Sequence, residues 1–98
     1  MGYNVIIKPL AEQDIAESYQ WYNEKQAGLG DDFLSELDRS LEFIRTNPLL
    51  YQVRYKEIRM VKLGRFPICL HYMIKKEVIF IQAVLSTYRN PRIWKKRQ

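Results

Sequence analysis

The chain has 98 residues, 47% of them hydrophobic and 28% charged. That composition fits one ordinary globular domain over residues 1–98 and excludes a disordered chain. Residues 1–48 hold nine acidic and four basic side chains, net −5, whereas residues 49–98 hold twelve basic and two acidic, net +10. Such a split implies either a basic surface offered to an acidic partner, nucleic acid or protein, or acidic helices that happen to precede basic strands. No apolar run reaches the roughly 20 residues of a bilayer span. Met1 to Lys8 lacks a basic segment followed by an apolar stretch, so no signal peptide and a cytoplasmic location are expected.

Tyr3–Lys8 is short and β-branched and reads as a first strand. Pro9 suits the first turn of a helix, having no N–H to leave unpaired. Ala11, Ile15, Ser18/Tyr19 and Tyr22 then fall on one helical face. Glu12, Asp14 and Glu17 place negative charge in the early turns, and Gly28-Leu29-Gly30 should end the helix. A second helix carries Phe33, Leu37, Leu41 and Ile44 on one stripe with Leu34 beside it. Asp31 or Asp32 is the expected cap, and Asn47-Pro48 the stop. The two helices form an antiparallel hairpin.

Past Pro48 the period becomes two. Tyr55–Leu63, Phe66–Lys75 and Glu77–Leu85 read as three strands, with turns at Gly64-Arg65 and Lys75-Lys76. The strand around Val78–Leu85 is apolar on both faces and belongs inside the sheet. Asn90–Gln98 reads as a short terminal helix or a basic tail. The expected fold is α+β, β-αα-βββ-(α): an antiparallel-rich sheet with the helical hairpin packed on one face and the first strand beside the last. The opposite face should carry much of the basic charge.

The chain offers little for cofactor or metal chemistry. Cys69 is the single cysteine and cannot form an internal disulfide, and with only His71 nearby it makes no metal-ligand set. The four glycines form no phosphate-cradling pattern, so no cofactor and no metal are expected. Cys69 and His71 stand two apart on a strand, about 6–7 Å, with no third group to orient them. His71 therefore reads as a structural histidine. The remaining chemical feature is basic and aromatic. Arg54, Lys56, Arg59, Lys62 and Arg65 run along the first strand after the hairpin, and Tyr88, Arg89, Arg92, Trp94, Lys95, Lys96 and Arg97 close the chain. Such residues either neutralise phosphates and stack on bases, or form a solvated tail with Trp94 as a hydrophobic anchor. Trp21 lies off the apolar stripe of the first helix; it either offers a partner helix an apolar flank or packs over the sheet end.

In order and spacing these segments resemble the RelE/ParE superfamily of bacterial toxins from type II toxin–antitoxin modules. Pro9-Leu10-Ala11-Glu12-Gln13-Asp14-Ile15 is similar to the family's start of helix one, and Gly28-Leu29-Gly30-Asp31-Asp32-Phe33-Leu34 to its turn into helix two, with Asn47-Pro48 as its stop. Arg65-Phe66-Pro67-Ile68 leading to Leu70-His71-Tyr72 resembles its strand motif. Ser86 through Trp94 resembles its closing His-x-x-Arg-x-Pro-x-x-Trp pattern, with Ser86-Thr87 where a histidine commonly stands.

The resemblance implies a toxin neutralised by a cognate antitoxin, with Tyr19, Trp21 and Tyr22 as candidate antitoxin contacts. RelE-like members cleave mRNA on the ribosome without a metal; ParE-like members inhibit DNA gyrase and are not nucleases. For cleavage, Arg59, Lys62, Arg65 and Arg89 would contact phosphate, and His71 or Tyr88 would serve in proton transfer. Ile68 and Cys69 stand where the cleaving members carry an arginine. Trp94 falls near their tyrosine, and an indole N–H only donates. The long hairpin, Phe66-Pro67 and the closing Pro-x-x-Trp are more ParE-like. A gyrase inhibitor is therefore expected, with Arg65, Arg89, Arg92, Trp94, Lys95, Lys96 and Arg97 meeting the target. The alternatives are a ribosome-dependent mRNA endoribonuclease (an mRNA interferase) and an inactive antitoxin-binding module.

Overall fold

A computed structural model describes residues 3–87 of the chain. Strand β1 (Asn4–Ile7) runs into helix α1 (Pro9–Lys25) with Pro9 at its first position, as its fixed φ suggests. Lys8 links the two: its N–H donates to the Ile81 carbonyl at 3.0 Å, while its own carbonyl accepts from Glu12.

Helix α2 (Leu29–Thr46) follows after three residues. Gly28 turns the chain at φ +86°, a conformation glycine adopts without a Cβ clash. Gly28 also holds the cap position, so Asp31 and Asp32 are not caps. They lie inside the first turn, where their charge favours the helix dipole without a side-chain capping bond. The hairpin closes tightly at Gly30, whose N–H donates to Asn23 Oδ1 at 2.8 Å; a Cβ there would stand 2.6 Å from the Tyr19 carbonyl oxygen. Asn47 ends α2 with its N–H on the Phe43 carbonyl, and Pro48 follows.

The remaining strands are β2 (Val53–Tyr55), β3 (Ile58–Lys62), β4 (Ile68–Lys75) and β5 (Val78–Ser86). The single strand expected over Tyr55–Leu63 is in fact part of a hairpin. The chain reverses at Lys56-Glu57, with Lys56 at φ +48° and Tyr55 paired to Ile58. Neither glycine nor asparagine marks that turn, and two charged residues at its tip simply face water. The β4–β5 turn is centred on Lys76-Glu77, one residue later than expected, with Lys76 at φ +58°.

The sheet order is β1-β5-β4-β3-β2, with β1 parallel to β5 and the other pairs antiparallel. The first strand does stand beside the last, and β5 is interior, which accounts for its apolar residues on both faces. A bulge shifts the β4–β5 register: His71 pairs with Ala83 and Tyr72 with Ile81, leaving Gln82 over.

The hairpin covers one face of the sheet. Ala11, Phe33, Leu37 and Ile44 are buried with Leu70, Tyr72, Ile79, Ile81 and Val84, and Leu41 packs at the margin. Tyr22 and Phe33 meet Phe66 edge-on, with ring centroids 4.9 and 5.9 Å apart; such aromatic pairs add to their area burial. The expected terminal helix or tail, Asn90–Gln98, lies outside the described residues.

Candidate functional site

The sheet face turned from the hairpin carries Lys62 opposite Cys69 and Met60 opposite His71. His71 is 1% exposed, and its Nδ1 lies 2.9 Å from the Tyr55 hydroxyl, a hydrogen bond whose donor depends on the imidazole tautomer. Sequence spacing gave no sign of this pair, because β2 reaches His71 only through the unmarked turn at Lys56-Glu57. Burial pushes the Cys69 thiol up, and Arg54 and Lys62 oppose that shift. A thiol raised in this way is protonated at neutral pH and a poor nucleophile. Both residues fit a structural role.

Arg54 and Lys62 both act on Cys69, but Arg59, Lys62 and Arg65 do not converge. Arg59 stands opposite Tyr72, on the core side, and its guanidinium donates to the Tyr51 carbonyl. The Tyr72 hydroxyl, its pKa pushed up to about 12 chiefly by burial, donates to the Pro48 carbonyl at 2.8 Å. These two bonds pin the connection from α2 to β2. Lys62 Nζ reaches back to the Gly64 carbonyl at 2.7 Å. Arg65 crosses to the start of α2, where it pairs with Asp32 at 3.2 Å and lies over the Phe66 ring. Of Arg59, Lys62 and Arg65, only Lys62 shares the face of His71. These three cations are thus divided, because two of them satisfy backbone carbonyls and the third satisfies a carboxylate. Tyr88, Arg89, Arg92, Trp94, Lys95, Lys96 and Arg97 lie outside the described residues.

On the helical side, Tyr19, Trp21 and Tyr22 occupy three environments. Tyr19 is half-buried in a groove of about 780 Å³ between α1 and α2. Trp21 is 53% exposed, edge-on to Tyr22 at 5.0 Å, with the Lys25 ammonium 4.9 Å over its ring. Tyr22 is 8% exposed and belongs to the aromatic cluster; burial raises its phenol. A second cleft, of about 600 Å³, separates α1 from β5, with Trp21, Pro67 and Leu85 among its walls.

Buried Asp14 lines this cleft and accepts the Val84 N–H at 3.0 Å. Pairing between β1 and β5 stops at Ile7 and Ile81, so the edge of β5 beyond that point needs another acceptor. The carboxylate supplies it. One sequence signal pointed here: Asp14 falls three residues after Ala11 on the apolar stripe, where a charge needs a partner.

Among the described residues no group of three His, Cys, Asp or Glu side chains could hold a metal. No helix among them is long and apolar enough to cross a membrane. A family model described as the ParE toxin of the type II toxin–antitoxin system, parDE, matches residues 5–91. The chain belongs to the ParE toxin family. That membership implies an antitoxin partner and settles the superfamily resemblance on its ParE branch. A solved structure titled as a chromosomal ParDE toxin–antitoxin system from P. aeruginosa shares the fold, with a TM-score of 0.76. It is 14% identical and covers 86% of this chain and 95% of its own. No curated protein matches the chain significantly.

Proposed function

We propose that this ParE-family toxin arrests growth by binding DNA gyrase as a protein inhibitor, and that a cognate antitoxin silences it by covering the helical hairpin around Tyr19, Trp21 and Tyr22. Family membership supports the gyrase target. The observation that carries binding over RNA cleavage is the separation of Arg59, Lys62 and Arg65, the candidate phosphate contacts among the described residues. Metal-independent cleavage needs cations and a proton-transfer group gathered around one phosphate. Here Arg59, Lys62 and Arg65 go to three neighbourhoods, and His71 is sealed beside Tyr55. The target surface combines Arg65 with the closing Arg89, Arg92, Trp94, Lys95, Lys96 and Arg97, whose charge steers association with an acidic protein.

The test follows thymidine and amino-acid incorporation after controlled induction, then supercoiling by purified gyrase. Thymidine incorporation is expected to fall first, purified chain to stop supercoiling, and co-expressed antitoxin to restore both. An earlier collapse of amino-acid incorporation with cut transcripts would replace this function by ribosome-dependent mRNA cleavage. No effect on either would leave an inactive antitoxin-binding module.

A further inference from the structure

Four of the seven large apolar side chains exposed among the described residues gather where α2 gives way to β2. Leu49 and Leu50 are 66% and 64% exposed, and Phe43 and Val53 on either side of them are nearly half exposed. The Phe43 and Tyr51 rings meet with centroids 6.2 Å apart, which joins the end of α2 to the connection. The other three, Ile6, Leu10 and Trp21, lie on β1 and along α1, as singly exposed apolar residues commonly do.

This apolar tip is held in place. Pro48 is buried, and its carbonyl accepts from the Tyr72 hydroxyl at 2.8 Å. The Leu50 N–H donates to the Asn47 carbonyl at 3.2 Å, and the Tyr51 carbonyl accepts from Arg59. The backbone is thus tied on both sides of Leu49 and Leu50 while both side chains stay in water. A surface already fixed in shape has less ordering to pay on binding. The surroundings are basic. Residues 49–62 hold four basic side chains and one acidic. Arg54 and Lys56 follow Val53, both exposed and neither in an ion pair among the described residues. Beside Phe43, Glu42 is taken up by Arg45. A second copy docked here across a two-fold axis would bring two such basic rims together, whereas an acidic protein would meet complementary charge.

We propose that Phe43, Leu49, Leu50 and Val53 make a second contact with the target, entering an apolar recess ringed by carboxylates on that protein. Apolar side chains at the centre and charge at the edge match the usual division of an interface. Arg65, paired with Asp32, marks the first contact at the start of α2. The tip lies past the other end of that helix, about 27 Å along its axis, so the target is held at two separated places. That the target is gyrase rests on the function proposed above; the polarity and charge of the recess do not.

Purified DNA gyrase is titrated onto the immobilised full chain and its variants. Leu49→Ser with Leu50→Ser is expected to bind about tenfold or more weakly, at an unchanged melting temperature and oligomeric state, because neither leucine is buried. Leu10→Ser, at a leucine 51% exposed on α1, should bind like the unaltered chain. Arg54→Glu with Lys56→Glu should also weaken binding and flatten its salt dependence. Undiminished binding by the paired serine variant, equal weakening by Leu10→Ser, or no change from the charge-reversed pair would overturn the proposal. Release of monomers from a self-associated chain by the paired serine variant would also overturn it, giving the tip to a second copy. If the unaltered chain does not bind gyrase at all, the gyrase reading falls and this contact with it; gyrase binding that ignores the serines removes the contact alone.

Discussion

Two exposed acids of the helical hairpin and three cations past it use charge in opposite ways. On the helical hairpin, Glu12 and Asp38 stand in water beside an apolar groove without ion pairs among the described residues. Past the hairpin, Arg59, Lys62 and Arg65 are each committed to a nearby oxygen: the Tyr51 carbonyl, the Gly64 carbonyl and the Asp32 carboxylate. A charge count by halves suggests one acidic and one basic surface. The fold instead leaves Glu12 and Asp38 exposed and uses these three cations to tie down turns and connections. Formal charge along a sequence therefore does not tell which side chains the fold engages.

Asp14, unlike Glu12 and Asp38, is buried, and replacing it gives the largest expected effect. Asp14→Ala leaves the Val84 N–H buried without its acceptor, at a cost of about 2 kcal/mol. Asp38→Ala at the exposed rim should change stability by no more than about 0.5 kcal/mol. Chemical denaturation of the two variants checks this, and equal losses would mean that the hairpin acids do not divide as described.

Tyr72 tests the other half. Tyr72→Phe keeps the ring but removes the bond to the Pro48 carbonyl, a loss of about 1 kcal/mol. It also carries a pH signature. The folded phenol titrates near 12, above its ordinary value of 10. The folded state therefore holds this proton more tightly than the unfolded one, and its contribution is complete below pH 10 and lost as pH rises toward 12. Unfolding curves of the unaltered chain should show that decline more steeply than those of Tyr72→Phe. Identical slopes would remove Tyr72 from the clamp on the α2–β2 connection.

Most of the architecture was legible in the sequence because periodicity reports which face is buried. The hairpin stripe Phe33, Leu37, Leu41 and Ile44, the pairing of β1 beside β5 and the stop at Asn47-Pro48 all follow from pattern and backbone restriction. The split of one expected strand into β2 and β3 was not legible, since Lys56 and Glu57 are not turn-specific residues and alternation continues on both sides. Partnerships across the fold were less accessible still. Asp14 with Val84 and Tyr55 with His71 join residues whose proximity depends on where β1 stops and how β2 folds back. Of the candidate target residues, only Arg65 lies among those the structure describes, and the sequence could not show that Asp32 would meet it.

Arg65 carries the smallest structural effect and the sharpest functional one. Its ion pair with Asp32 is exposed on both sides, and such pairs contribute about 0–1 kcal/mol. Arg65→Ala should therefore melt within a few degrees of the unaltered chain. Asp32→Ala removes the same pair but leaves the guanidinium in place. If Arg65 serves only to tether the β3–β4 turn to α2, both variants should retain growth arrest to the same extent. If it meets the target, as proposed, Arg65→Ala should lose arrest while Asp32→Ala keeps or strengthens it, because the freed cation is then available to an acidic partner. Measuring arrest for both variants at matched expression separates the two roles. Equal arrest would return Arg65 to the tethering cations and leave target binding to other residues.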